Sequence, residues 1–590
     1  MYKRKEITAL LSLPLLFIFL SIGRALLSEQ GDLVLVGCHG CLILPTLQHD
    51  LILIATFLIA SILWIKLPRY LRWAALLIQM GLVFVITADL IMLAEFGMRL
   101  SWHDVIKFGG EFKAIKSYIE IKLATITGIL TLIGDTILLI SWISHLRAAN
   151  YLGQQGIRWL MMSVFACVLL YMLPTMTHHP LPWLYRNVVE INLPSGVDQV
   201  YSQTYQAQLK AHYKPPPWVC TQGLGLRQNV IIVLIESWSW YHSKDRLGVM
   251  DATPHLDQLV QKGTVWTQFF SNGFTTDHGL IALLGGIVPL PAVNRYHSLE
   301  GYAGFDKLSA TLPQRLAADG YQSYFFTTGD LNFMDKGIWL KKLGFHYIEG
   351  DDHPFYQGMP RFAFNAAHDG WLYQRFLTWL DHEVPEKHPY LAVLETVTTH
   401  PPFMNPETGQ QGEQAAFRFA DTQVAYFVKE LEQQDFFKDG LLILTSDQRA
   451  LTPLRAAEVQ AFGDVAPALL PLIILGGSLK GGEPITTAAQ MADMPASLDY
   501  LLTDRSCQYQ GRGNLFTIPP KSPQCILRPQ GDQRDIIDAY CGTQHAQIKL
   551  DGDHTRVIEG NLPDAENIIQ QINLQRILLG TQNINFTHIM

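Results

Sequence analysis

Charge is scarce over the first third of this 590-residue chain, where long stretches run with almost no Asp, Glu, Lys or Arg. Apolar runs of that kind do not make the exterior of a soluble domain. A basic excess is also missing. Lys and Arg number 44 against 52 Asp and Glu, a net charge of −8, so the chain lacks the positive footprint by which proteins hold nucleic acid. There is no internal repeat and no low-complexity tract, which excludes solenoids and long disordered arrays. No convincing small-residue cleavage site follows the first apolar run, so that run reads as a retained anchor rather than a removable signal.

A chain of this length exceeds what one core supports, and at least two domains are expected. Five apolar runs approach the ~20 residues that cross a bilayer: 7–27, 51–65, 73–93, 123–146 and 157–173. The second is short, and an earlier start would lengthen it. Residues 32–45 are apolar too, but ~14 residues suits a re-entrant or interfacial segment; a sixth crossing there would invert the topology. Lys3, Arg4, Lys5, Lys66, Arg69, Arg72, Arg147 and Arg158 all fall on one side if the amino terminus is cytoplasmic. Five spans then deliver everything beyond about Thr175 to the outer side of the membrane.

Asp89 and Asp135 lie inside the apolar runs. Carboxylates there are costly; they mark either function or a hydrogen bond between neighbouring spans, the plainer expectation. Residues 101–121 mix apolar and basic side chains, which suits a helix in the headgroup layer or a plain outer loop. Cys220, Cys507, Cys525 and Cys541 belong to the outer part, where an oxidising compartment allows three pairings. Cys38 and Cys41 (CHGC) add two more participants; as a zinc pair they lack two further ligands nearby.

The domain layout follows: 1–178 as the five-span region, 179–228 as a connector with a stiff KPPPW run, 229–504 as an α/β domain, and 505–590 as a disulfide-tied extension ending in a helix near 564–579. Strands are predicted at 229–235, 323–327, 391–396, 441–445 and 470–475, and helices at 308–319, 370–381 and 419–433. Strands alternating with helices argue for a mostly parallel sheet covered on both faces.

Two of these strands stop on carboxylates. Residues 229–236 (NVIIVLIE) end at Glu236, and 441–448 (LLILTSDQ) run into Asp447 and Gln448. Strand ends of a parallel sheet converge on one crevice, and two carboxylates there suit a hard cation. Singly, Glu236 could equally cap the next helix. In NGFTTDHGLIALL (272–284) a polar run precedes an apolar helical pattern, which places Thr275, Thr276 and Asp277 at a helix amino terminus. A hydroxyl there can serve as a nucleophile or simply as an N-cap. TVTTHPPF (396–403) brings His400 to the same crevice for phosphate binding or proton transfer, or as an ordinary loop residue.

The combination of strand–Glu, Thr at a helix start, strand–His-Pro and strand–Ser-Asp resembles the alkaline-phosphatase superfamily. More closely it resembles the lipoteichoic acid synthase and phosphoglycerol transferase family, as do the stretches 331–344 (LNFMDKGIWLKKLG) and 419–447. The resemblance implies an α-helical transmembrane bundle plus an α/β alkaline-phosphatase-like (sulfatase-like) extracytoplasmic domain. It assigns Glu236 and Asp447 to a divalent metal, commonly Mn2+, with Mg2+ or Zn2+ as alternatives. It makes Thr276 the nucleophile and a further ligand, preferred over Thr275 for its Thr-x-x-Gly spacing to Gly279. His400 becomes a substrate-binding histidine. Lys336 becomes a phosphate-gripping residue where the family often has arginine, the better bidentate partner.

One position departs from the pattern. The family normally has Ser-Asp-His where this chain has Ser446-Asp447-Gln448. An amide oxygen is a weaker ligand than imidazole and suits harder ions. Gln448 coordinates through its carbonyl, or His278 supplies a nitrogen, or the domain no longer catalyses. The implied partners are a phospholipid donor, with phosphatidylglycerol foremost, and a glycan or polymer acceptor. The alternatives are a phosphoethanolamine transferase and a catalytically silent membrane sensor that binds lipid or glycan. A sulfatase would need a cysteine in the Thr276 region, and none is there.

Overall fold

The computed structural model describes residues 2–29, 40–68, 70–96, 98–111, 116, 126–149, 154–174, 182–193, 196–293, 301–384, 388–401, 403–452, 454–477, 483–531 and 534–581. The chain divides into two compact units. The first comprises Met1–Val105, Glu120–Leu193 and Thr452–Ala456; the second comprises Ile106–Ile119, Pro194–Leu451 and Ala457–Met590.

Among the described residues the first unit holds five long helices: Tyr2–Glu29, Ile43–Lys66, Arg72–Phe96, Ile126–Ala149 and Gln154–Tyr171. Among the described residues, two segments, Ile43–Lys66 and Arg72–Ala94, are long and apolar enough to cross a bilayer. The second helix starts at Ile43, earlier than its apolar run indicates, and takes in part of the expected interfacial segment; residues 32–39 lie outside the described residues. Asp89 is held by Arg99, which donates to both carboxylate oxygens at 2.7–3.0 Å, so its partner is a cation beyond its own helix rather than a neighbouring span. Cys41 is disulfide-bonded; Cys38 and the side chain of Asp135 lie outside the described residues.

Among the described residues the second unit carries fourteen strands. They are β1 Trp218–Gln222, β2 Asn229–Leu234, β3 Thr264–Phe270, β4 Gln322–Thr327, β5 Tyr347–Glu349, β6 Tyr390–Glu395, β7 Gly440–Thr445, β8 Leu469–Gly476, β9 Ala489–Gln490, β10 Arg505–Tyr509, β11 Ile526–Pro529, β12 Ile536–Cys541, β13 Gln544–Lys549 and β14 Arg556–Gly560. Eight form the main sheet in the order β5-β4-β6-β2-β7-β8-β3-β9. Its centre is parallel, with β2 between β6 and β7. The pairs β7–β8 and β8–β3 are antiparallel. Central strands buried on both faces must be apolar at every position, and β2 shows why. Val230, Ile232 and Leu234 join one core, while Ile231 and Val233 join the core on the opposite face.

The predicted helices are found at Leu312–Ala317, Asp369–His382 and Glu413–Gln433. β11–β14 form a separate antiparallel sheet, where the sequence led us to expect an irregular extension. The expected terminal helix spans Ala565–Thr581. Of the three possible pairings, the chain adopts Cys220–Cys507, which ties β1 to β10, and Cys525–Cys541.

Candidate active site

The site lies at the carboxyl ends of β2, β6 and β7. Their register sets Leu234 beside both Glu395 and Thr445, so the chain leaves all three strands side by side. Glu236 follows β2 and is held at its backbone by the loop after β6. Its N–H donates to Thr396 Oγ1 at 3.0 Å, and its carbonyl accepts from Thr399 Oγ1 at 2.6 Å. Ser237 then turns into the left-handed region (φ 59°), an unfavourable conformation for a residue with a Cβ. That turn aims the Ser237 N–H at Asp447 Oδ1 (2.9 Å) and its hydroxyl at Glu236 Oε1 (2.7 Å).

Asp447 is anchored at one oxygen. Oδ1 accepts from the backbone N–H groups of Ser237 and Gln448, both at 2.9 Å. Oδ2 has no donor among the described residues, and neither does Gln448 Oε1. Burial first, and then the charge of Glu236, pushes the Asp447 carboxyl well above its usual range. Burial likewise pushes Glu236 up, with the charge of Glu395 adding to it.

Thr276 opens the Thr276–Gly285 helix, with Thr275 as its N-cap. The Thr276 hydroxyl lies 3.4 Å from Glu236 Oε2. Asp277, the next residue, is buried and pairs with Lys107 Nζ at 2.8 Å. Burial works against its charged form, but the nearby Lys107 and His278 outweigh it and hold the carboxyl below the usual carboxylate range. His278 is in edge contact with Phe274.

His400 is half-buried, and desolvation lowers its pKa against the opposing pull of the Pro401 carbonyl and Asp447. Its Nδ1 faces the Pro401 carbonyl at 2.6 Å. The neutral ring therefore carries its proton there and presents Nε2 as the acceptor. Lys336 Nζ lies 2.6 Å from Glu395 Oε2, both side chains buried, so this lysine is already committed to a carboxylate, an arrangement different from the open phosphate grip expected. Burial pushes the Tyr302 hydroxyl well above its ordinary range, and the charges of Glu395, Asp277, Asp447 and Glu236 add to that.

Among the described residues no three His, Cys, Asp or Glu side chains form a metal-binding group by themselves. The donors that are present nonetheless fit a hard cation. Two buried carboxylates, Glu236 and Asp447, stand together with no cationic side chain bonded to either among the described residues, and Asp447 Oδ2 and Gln448 Oε1 have no donor there. Oxygen ligands of this sort suit Mg2+ or Mn2+ better than a soft ion.

Sequence reasoning missed Glu395, Tyr302 and Lys107. Glu395 ends β6 just as Glu236 follows β2, a signal that was there to be used. Lys107 has no local signal, because its partner is 170 residues away.

A fold of this kind, with acidic strand ends and a threonine at a helix start, defines an alkaline-phosphatase-like domain. The sulfatase family model matches residues 228–453. The chain is similar to a lipoteichoic acid synthase-like protein of Bacillus subtilis, 21% identical over 340 residues, 52% of each chain; it thus spans about half the length of that relative. Solved structures with similar folds include a protein of the alkaline phosphatase superfamily from Vibrio parahaemolyticus. It is 18% identical, with a TM-score of 0.48, covering 65% of this chain and 97% of that one. Another is the lipoteichoic acid synthase LtaP from Listeria monocytogenes, 16% identical, with a TM-score of 0.45, covering 64% and 96%.

Proposed function

We propose that the protein is a membrane-anchored phosphotransferase. It moves a phospholipid headgroup, glycerol phosphate from phosphatidylglycerol, onto an extracytoplasmic glycan or polymer through a covalent intermediate on Thr276. The observation that carries this is the Thr276 hydroxyl at a helix amino terminus, 3.4 Å from the Glu236 carboxylate.

Thr276 Oγ1 attacks the donor phosphorus. The bond from oxygen to phosphorus forms as the bond from phosphorus to the diacylglycerol oxygen breaks, and that lipid oxygen takes up a proton. Glu236 Oε2 is the carboxylate oxygen facing the Thr276 proton, 3.4 Å from the hydroxyl, and is placed to receive it. The helix terminus favours negative charge on the attacking oxygen. An acceptor hydroxyl then attacks the same phosphorus and restores Thr276. His400 Nε2 is the basic atom available to that hydroxyl. When bound by Glu236, Asp447, Thr276 and Gln448, a divalent cation (Mn2+, or else Mg2+ or Zn2+) would neutralise phosphate charge and lower the pKa of the hydroxyl.

The five helices of the first unit act as membrane spans, with the catalytic domain on the periplasmic or extracellular side. Tethering at the surface keeps the site at a high effective concentration of its lipid donor. The test is headgroup transfer from labelled phosphatidylglycerol, with phosphatidylethanolamine as the competing donor. Thr276→Ala must abolish it; retained turnover refutes the nucleophile. A second reading, a silent lipid- or glycan-binding sensor, is favoured by Gln448 standing where the family has histidine. It predicts no turnover of either lipid by the unaltered protein.

A further inference from the structure

Lys107 lies far outside the sulfatase domain in sequence, in the stretch between the third and fourth long helices, yet it belongs to the second unit. Its ammonium is buried, 7% exposed, against the 5%-exposed carboxylate of Asp277. The neighbouring residues hold it there. Phe108 stacks on Phe333 with ring centroids 6.0 Å apart, and Glu111 Oε1 accepts the Met334 N–H at 2.9 Å. Gly301 closes the other side at φ +64°. A Cβ on it would stand 2.3 Å from Met334 Cε and 3.2 Å from Asp277 Oδ2. This short stretch therefore contacts both the start of the Thr276 helix and the turn that leads into Lys336.

An anionic phosphodiester entering this crevice meets four carboxylates. Lys336 compensates Glu395, and the cation that fits Glu236 and Asp447 would compensate that pair. Asp277 directly follows the nucleophile, and its bonded cation is Lys107. Without it, a buried negative charge would stand one residue from Thr276 and would relax either by moving the helix start or by repelling the donor.

We propose that Lys107 is a positioning residue of the transferase: through Asp277 it fixes the helix start that presents Thr276 and balances the charge next to the transferring phosphate. The catalytic site is then completed by chain from outside the sulfatase domain. This rests on the transferase reading above.

The test uses the full-length protein in vesicles of phosphatidylglycerol carrying a fluorescent acyl chain, with Mn2+ added, and reads diacylglycerol release. Lys107→Met is expected to lower kcat by at least about tenfold with little change in KM, since misplacing a reacting group costs rate. Lys107→Arg retains most of the activity. The double variant Lys107→Met/Asp277→Asn recovers a large part of the loss, because no orphaned carboxylate remains. Thr276→Ala, run alongside, separates the two claims. An inactive Thr276→Ala beside a fully active Lys107→Met overturns the role of Lys107 and leaves the transferase reading standing. A loss in Lys107→Met that neither Lys107→Arg nor the double variant relieves overturns it as well. An active Thr276→Ala removes the nucleophile and the positioning role together.

Discussion

Gly279 packs so tightly on Asp447 that a Cβ built on it would lie 2.0 Å from the Asp447 carbonyl oxygen and 3.0 Å from its Cα. The absent side chain lets the Thr276–Gly285 helix approach the end of β7, and so brings the hydroxyl to the carboxylates. Gly279→Ala must push the helix away, since the obstacle is backbone. A shift of about 1 Å is expected to cost on the order of a hundredfold in headgroup transfer, with overpacking of about 1–3 kcal/mol in stability. Transfer kinetics and thermal unfolding of the same preparation check both.

Lys336→Met should act on folding more than on substrate affinity. It leaves Glu395 buried beside Glu236 with no cation, and removing one partner of a buried pair costs about 3–5 kcal/mol. A lowered unfolding midpoint is expected, relieved in part by Lys336→Met/Glu395→Gln. A raised KM with unchanged stability would return Lys336 to the phosphate-binding role first expected of it.

Gln448→His should tighten binding of Mn2+ and Zn2+ more than of Mg2+, because imidazole is the better ligand for the softer ions. A gain on the order of tenfold for Zn2+ corresponds to about 1.4 kcal/mol. Titration calorimetry on the full chain reads it; equal affinities for all three ions in both proteins would remove Gln448 from the ligand set.

Asp369 supports the loop that carries Thr396, Thr399 and His400, accepting the N–H groups of Val397 and Thr398 at 2.9 and 3.1 Å. Burial raises its carboxyl from the ordinary 3.8 to about 6. The folded protein then holds a proton that the unfolded chain has released between these two values. Stability contributed by this group is therefore full below pH ~4 and falls until pH ~6, by about 3 kcal/mol. Asp369→Asn should flatten that decline when unfolding is followed across this pH range, while keeping the two backbone bonds.

Much of this site is legible from residues alone. Apolar runs ending on Glu236 and before Asp447 identify neighbouring parallel strands, because a strand buried on both faces leaves no polar alternation to confuse the pattern. Thr276 follows from a polar run ahead of an apolar helix. The sheet β11–β14 is harder to see. β13 (QHAQIK) alternates over only six residues and is half exposed, too short a period to separate from a loop. The partners of Lys336 and Lys107 are beyond local reading altogether, since each pair joins segments distant in sequence and only the folded chain brings their charges together. The same holds for the choice among three cysteine pairings.

The saturation of Asp447 Oδ1 has a stereochemical consequence. Two backbone donors, from Ser237 and Gln448, claim that oxygen. An asparagine at this position would have to turn its own oxygen toward them. Its amide hydrogens would then point into the crevice, toward Glu236. Asp447→Asn thus reverses the polarity of the group facing a cation, presenting a donor where an electron pair had been. The usual mildness of an isosteric exchange does not extend to this position.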